Sequence, residues 1–172
     1  MSSTDERRVK SVLLDTSFLI TLHDKTRANH ETAARYFQHW IPRKVTLYAS
    51  TIVVAEYSAK GEISEVILRH LHVLPFNYSH AVRAGQLVAM QLSAKESLTF
   101  PKTDDPRDAV KDDIKLFAQT HVTKSTLLAT DDQKMPKLVD FFRLQKLVDF
   151  SILPLWLPFN HSMASTGERG LF

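Results

Sequence analysis

The chain has 172 residues, with 22 Lys and Arg against 19 Asp and Glu, no Cys and only 4 Gly. A composition of 44% hydrophobic and 24% charged residues is that of one ordinary globular domain, and it excludes disordered, collagen-like and coiled-coil classes. The absence of Cys excludes a disulfide framework, a thiolate metal site and a Cys nucleophile. Gly167 and Gly170 sit in the tail, so only Gly61 and Gly85 remain in the body, too few for a glycine-rich phosphate loop. The net charge of +3 is compatible with nucleic acid but does not require it.

Residues 1–8 (MSSTDERR) read as a flexible, polar N-terminus without the apolar centre of a signal peptide. No apolar run approaches the roughly 20 residues of a membrane span. The expectation is a cytoplasmic protein with no membrane partner.

The first strand is expected over 9–14, an apolar run ending at Asp15. Helices follow over 18–22 and 30–40, the second with Ala33, Ala34, Phe37 and Trp40 at helical spacing. A strand over 45–49 leads to Ser50, an N-cap candidate for a helix over 51–60. A short helix over 63–70, a strand over 73–76 and a helix over 79–92 come next. Residues 93–105 form a polar insertion. A helix over 106–120, a strand over 126–129, a helix over 136–145 and a strand over 148–152 complete the body. The domain is expected over 9–153, with 154–172 a C-terminal extension that is partly flexible. Strands alternating with helices specify an α/β fold, a three-layer sandwich with a central parallel sheet of about five strands flanked by helices. Ligands of such sheets bind outside the carboxyl ends of the strands.

Two strands end in acids at that place. The first runs into Asp15, followed by Thr16 and Ser17, and the fourth ends LLAT before Asp131 and Asp132. Each Asp alone could simply cap the next helix. Glu56 is a different kind of anomaly. At about 100° per residue it falls between Ile52 and Val53 on a helix apolar around nearly its whole circumference, so burial is expected and an unpaired charge there is costly. Asp113 likewise falls inside the stripe of Ala109, Val110, Ile114, Leu116 and Phe117. Asp104, Asp105 and Asp108 need no such account: Asp105 before Pro106 reads as an N-cap, and Asp108 suits the first helical turn.

Asp15, Glu56, Asp113 and Asp131 would repel one another and raise their own pKa values unless neutralised. A hard divalent cation resolves this, since carboxylate oxygens suit Mg²⁺ or Mn²⁺ and such ions also take phosphate. The missing glycine loop would then be replaced by a metal–carboxylate centre.

The blocks LLDTSFLI, ASTIVVAEYSAKG, KDDIKLFAQ and LLATDD, in this order, resemble PIN-domain nucleases. The stretch VLPFNYSHAVRAGQL also resembles VapC-type toxins of that family. The resemblance implies a metal-dependent ribonuclease that hydrolyses RNA phosphodiester bonds. The family's acidic quartet maps onto Asp15, Glu56, Asp113 and Asp131, with Asp132 as an extra ligand and Thr16 or Ser17 as a helper hydroxyl. It further implies an RNA substrate, a small antitoxin partner and a homodimer. The insertion and the tail depart from the usual shorter toxin.

Substrate contacts are expected from Thr16, Ser17 and Thr130, and from Arg107 and Lys111, which share a helix face with Lys115. That face equally suits pairing with Asp108 and Asp112. Lys134 stands just after the acids. Phe18, Tyr57 and Phe100 are candidates for base stacking, although most aromatics here read as core. His70 and His72 form an H-x-H pair with no third ligand at zinc spacing and read as structural. Two other functions compete: a Mg-dependent aspartyl phosphotransferase or phosphatase, and a non-catalytic PIN-like binding protein. The phosphatase pattern wants an Asp where Ser17 stands, and a receiver wants one at the end of the third strand, where Pro75 and Phe76 stand.

Overall fold

The computed structural model describes residues 8–59, 61–96 and 107–167, with backbone alone at 95–96 and 107–111. It contains β1 (Ser11–Leu14), α1 (Thr16–His23), α2 (His30–Trp40), β2 (Thr46–Ser50), α3 (Thr51–Ser58), α4 (Glu65–Leu68), β3 (Leu71–Leu74), α5 (Tyr78–Glu96), α6 (Arg107–Val122), β4 (Leu127–Thr130), α7 (Met135–Leu144), β5 (Ser151–Pro154) and α8 (His161–Thr166). The five strands form one all-parallel sheet in the order β3-β2-β1-β4-β5. This is the expected α/β architecture of helices flanking a parallel sheet.

The sheet core follows from the sequence of its central strands. Val12, Leu13 and Leu14 of β1 and Leu127, Leu128 and Ala129 of β4 are all fully buried, as strands covered on both faces must be. Around them pack α1, α2, α3 and α8 as one group and α5 with α6 as another. Trp40 is wholly enclosed, flanked by Phe18 and Tyr36 at ring separations of 6.1 and 5.5 Å, and its indole N–H donates to the Ala164 carbonyl at 3.1 Å. Phe117 stands against Phe142 and Phe150 in the same way.

The shortage of glycine leaves a mark on the turns. Helices α2, α6 and α7 each end with a lysine in the left-handed region: Lys44 (φ 55°), Lys124 (φ 53°) and Lys146 (φ 55°). In each case the next amide reaches back five residues, from Val45 to Trp40, Ser125 to Thr120 and Leu147 to Phe142, at 3.2, 3.0 and 2.9 Å. This is the hydrogen bond that usually accompanies a glycine at the helix end. Lysine satisfies the same geometry at a steric cost, and its charge suits the negative end of the helix dipole.

Several expectations are corrected. β3 lies two residues earlier than 73–76, because Pro75 has no N–H to continue the ladder. β5 starts at Ser151 rather than 148, although Val148 and Phe150 are buried ahead of it. The helix α3 is not enclosed all round: only Val53 and Tyr57 are buried, and Thr51, Ala55 and Ser58 are exposed. Its apolar residues outnumber the neighbours available to cover them. Residues 154–167, expected to belong to a partly flexible extension, carry α8. That helix is capped by the Asn160 side chain, ends at Gly167 and is tied to the body by the Val9 amide donating to Ser165 at 2.8 Å. The remainder of that extension, the segment 1–7 and most of the polar insertion lie outside the described residues. No helix among the described residues is long and apolar enough to cross a membrane.

Candidate active site

The strand order reverses between β1 and β4, the place where parallel sheets open a crevice at their carboxyl ends. Asp15 leaves β1 there, its amide donating to the Ala129 carbonyl at 3.0 Å, so it stands beside Thr130 at the end of β4. Asp15 is also the N-cap of α1. Its Oδ1 accepts the Thr16 amide at 2.7 Å, and its Oδ2 accepts the Ser17 and Thr130 hydroxyls at 2.5 and 2.8 Å. The capping role and the site location therefore coincide in one residue.

Both hydroxyls are relays. Ser17 Oγ accepts the Asp131 amide at 2.8 Å, and Thr130 Oγ1 accepts the Asp132 amide at 2.9 Å. The turn after β4 is thus fastened to the Asp15 carboxylate through two side chains. Asp15 is only 5% exposed. Burial pushes its pKa up, and the hydrogen bonds from Ser17, Thr130 and the backbone oppose that without overcoming it. Among the described residues no Lys or Arg stands within ion-pair distance of it.

Glu56 is half-buried on α3, and its Oε2 accepts the Thr16 hydroxyl, which joins α3 to the first turn of α1. Asp131 is half-buried with each oxygen engaged: Thr21 Oγ1 donates to Oδ2 at 2.8 Å and Asn29 Nδ2 to Oδ1 at 2.7 Å. Asp132 accepts the Lys134 amide on Oδ1 at 2.8 Å. Asp113 is half-buried on α6 next to the wholly enclosed Ile114.

The structure brings Asp15, Thr16, Ser17, Glu56, Thr130, Asp131 and Asp132 into one linked network. It adds two residues that sequence reasoning missed, Thr21 and Asn29. Thr21 lies inside a short helix and Asn29 just before another, with no pattern to mark either as a partner of an Asp about a hundred positions away. Among the described residues no three acidic or histidine side chains stand close enough together to hold a metal ion. The fit to Mg²⁺ or Mn²⁺ is therefore one of donor chemistry, the carboxylates of Asp15, Glu56, Asp131 and Asp132 joined at one end of the sheet and Asp113 outside that hydrogen-bonded network, rather than of a formed coordination shell.

Other expected contacts fall elsewhere. Thr130 is fully buried with its hydroxyl held between Asp15 and the Asp132 amide, so it positions the acid and does not face solvent. Thr16 is likewise buried. Lys134 is exposed at the start of α7. Lys115 pairs with Asp112 at 2.6 Å, as the solvated-face reading predicts; the side chains of Arg107 and Lys111, like Phe100, lie outside the described residues. Phe18 and Tyr57 belong to the core. His70 sits edge-on to Phe37 and His72 beside Tyr48, consistent with structural roles.

Neither a scan of protein-family models nor a search of curated proteins finds a match to this chain. Solved structures do match. A VapBC2 complex from Rickettsia felis, bound to a DNA fragment from its promoter, aligns with a TM-score of 0.56 at 13% identity, over 83% of this chain and 98% of that one. VapC20 from Mycobacterium tuberculosis, a toxin that cleaves the sarcin–ricin loop, gives 0.52 at 17% identity over 72% and 92%. A DNA-bound VapBC from Salmonella typhimurium gives 0.52 at 14% identity over 84% and 98%. The chain has the VapC-like PIN fold that its sequence blocks resemble.

Proposed function

We propose that this protein is a metal-dependent endoribonuclease and the toxin of a toxin–antitoxin pair. The observation that carries the reading is Asp15: a buried carboxylate at the sheet's switch point, held by hydroxyls and amides, with no cationic side chain within ion-pair distance among the described residues. An anion kept there against its desolvation cost is suited to a cation from solvent. The shared fold with VapC20, which cleaves an RNA loop, and with two VapBC complexes supports both the activity and a small protein antitoxin.

Asp15, Glu56, Asp113 and Asp132 would hold one or two Mg²⁺ or Mn²⁺ ions. When bound, such an ion lowers the pKa of water and offsets charge on a phosphate. Asp131 belongs to the same acidic group, and with Thr21 and Asn29 on its two oxygens it orients the turn that presents Asp132. Thr16 holds Glu56 by one carboxylate oxygen, leaving the other to take a proton from the attacking water; as the new P–O bond forms, the P–O bond to the leaving oxygen breaks and that oxygen takes a proton from solvent. Ser17 and Thr130 fix the direction of the Asp15 carboxylate and, through the amides of Asp131 and Asp132, its spacing from the second acidic turn. Lys134, Arg107 and Lys111 would supply the RNA contacts.

The test is cleavage of structured RNAs with and without Mn²⁺, using the parent and Asp15→Asn, which keeps size and removes charge. Loss of at least about 100-fold is expected, the scale of a positioned acid–base or electrostatic group. Full activity of Asp15→Asn with Mn²⁺ present would sink the assignment. Calorimetric titration with Mn²⁺ separates the enzyme from a non-catalytic binding protein, which would take up no ion.

A further inference from the structure

At the opposite end of the sheet, a pocket of about 300 Å³ opens between the approach to β1, the turn before β2 and the end of α8. Arg8 and Arg43 line it together with Val9, Val45, Ser165 and Thr166. Its walls are fastened. The Val9 amide donates to Ser165 O at 2.8 Å, Arg43 Nη1 to His39 O at 2.9 Å, and Arg8 Nη2 to Arg43 O at 3.3 Å. Each guanidinium uses one nitrogen in this way and keeps further N–H donors.

Among the described residues the charge is one-sided. Among the described residues neither Arg8 nor Arg43 has a carboxylate within ion-pair distance. His39, behind Ser165 with Nε2 at 3.2 Å from Oγ, has its pKa pushed down first by burial, then by the charges of Arg43 and His161. Two like charges lining one pocket favour an anion held between them. Their planar forks suit phosphate oxygens, while on the other wall the Thr166 hydroxyl donates to Ser162 O at 3.0 Å and Ser165 Oγ stands 3.2 Å from His39 Nε2, so the anion would be held by the arginines. The volume exceeds that of a bare anion and leaves room for an attached sugar.

We propose that the pocket lined by Arg8, Arg43, Ser165 and Thr166 binds the phosphate of a phosphate monoester, such as a nucleoside monophosphate or an RNA end. It is a second site, separate from the acids. Six residues of extended chain from Val9 to Asp15 span about 20 Å, so a phosphate bound here is not the one facing Asp15. The inference does not depend on the nuclease reading.

The test is calorimetry of the full chain in EDTA with 5′-AMP, inorganic phosphate and adenosine. Binding of 5′-AMP but not adenosine is expected, with inorganic phosphate bound more weakly than 5′-AMP. Arg8→Gln and Arg43→Gln should each weaken 5′-AMP binding by tenfold or more while melting at the parent's temperature, Arg43→Lys should recover part of the loss, and Asp15→Asn should bind as the parent does. The proposal is overturned if 5′-AMP does not bind, if adenosine binds equally, if both Gln variants fold and bind like the parent, or if Asp15→Asn abolishes binding.

Discussion

Thr130→Val tests the central claim about the site, that a fully buried hydroxyl holds the Asp15 carboxylate and the second acidic turn together. Valine keeps the shape and removes one oxygen. The substitution deletes the 2.8 Å bond to Asp15 Oδ2, a hydrogen bond to a charged acceptor of about 1.5–3 kcal/mol. It also strips the Asp132 amide of its 2.9 Å acceptor, a further loss of about 1 kcal/mol for a partly buried donor. Replacing the hydroxyl by a methyl group returns at most about 0.8 kcal/mol, because polar groups line the site. The net expectation is a loss of about 2–3 kcal/mol, read as a lower urea midpoint with unchanged slope at pH 7. The penalty should shrink in acid. The Thr130 bond favours ionised Asp15, so it matters less once falling pH protonates that carboxyl, whose pKa burial has already raised. A loss under about 0.5 kcal/mol at pH 7, or a penalty that grows toward acid, would refute the network as described.

Other expectations follow from the same geometry. Because the Asp15 pKa is raised on folding, its contribution to stability is full below the unfolded-state value and is lost as pH rises through the folded one; without divalent ion, Asp15→Asn should flatten this fall in urea midpoint as pH rises above about 4. Asp132→Asn should reduce Mn²⁺-dependent RNA cleavage more than Asp131→Asn, since both Asp131 oxygens already have partners; a larger activity loss in Asp131→Asn would reverse the roles assigned here. Lys124→Gly should raise stability by about 0.5–1 kcal/mol, the relief of left-handed strain less the added freedom of the unfolded chain. Gly167→Ala should lower it by about 2 kcal/mol, because at φ 74° a Cβ would meet Thr126 Cγ2 at 2.9 Å; a melt equal to the parent's would show that α8 does not dock there.

The sequence by itself determined the sheet, because β1 and β4 are continuous apolar runs that only a doubly covered parallel sheet can bury. It also determined where to look, because an acid ending such a strand must emerge at the carboxyl edge: Asp15, Asp131 and Asp132 were legible for that reason. Periodicity was less reliable for Glu56, since it reports how apolar a helix is and not how much neighbouring surface exists to cover it. The tertiary structure alone decided what each acid touches. Adjacent residues on a turn diverge by an angle no pattern encodes, so Asp131 met Thr21 and Asn29 while Asp132 turned to the Lys134 amide just ahead of α7. The glycine count shows the same division. Composition excluded a backbone phosphate loop, but only the folded chain revealed lysines in the left-handed positions at three helix ends. It likewise revealed two distant arginines closing on one pocket, a meeting fixed by the parallel register that sets β1 beside β2 and not by any local spacing.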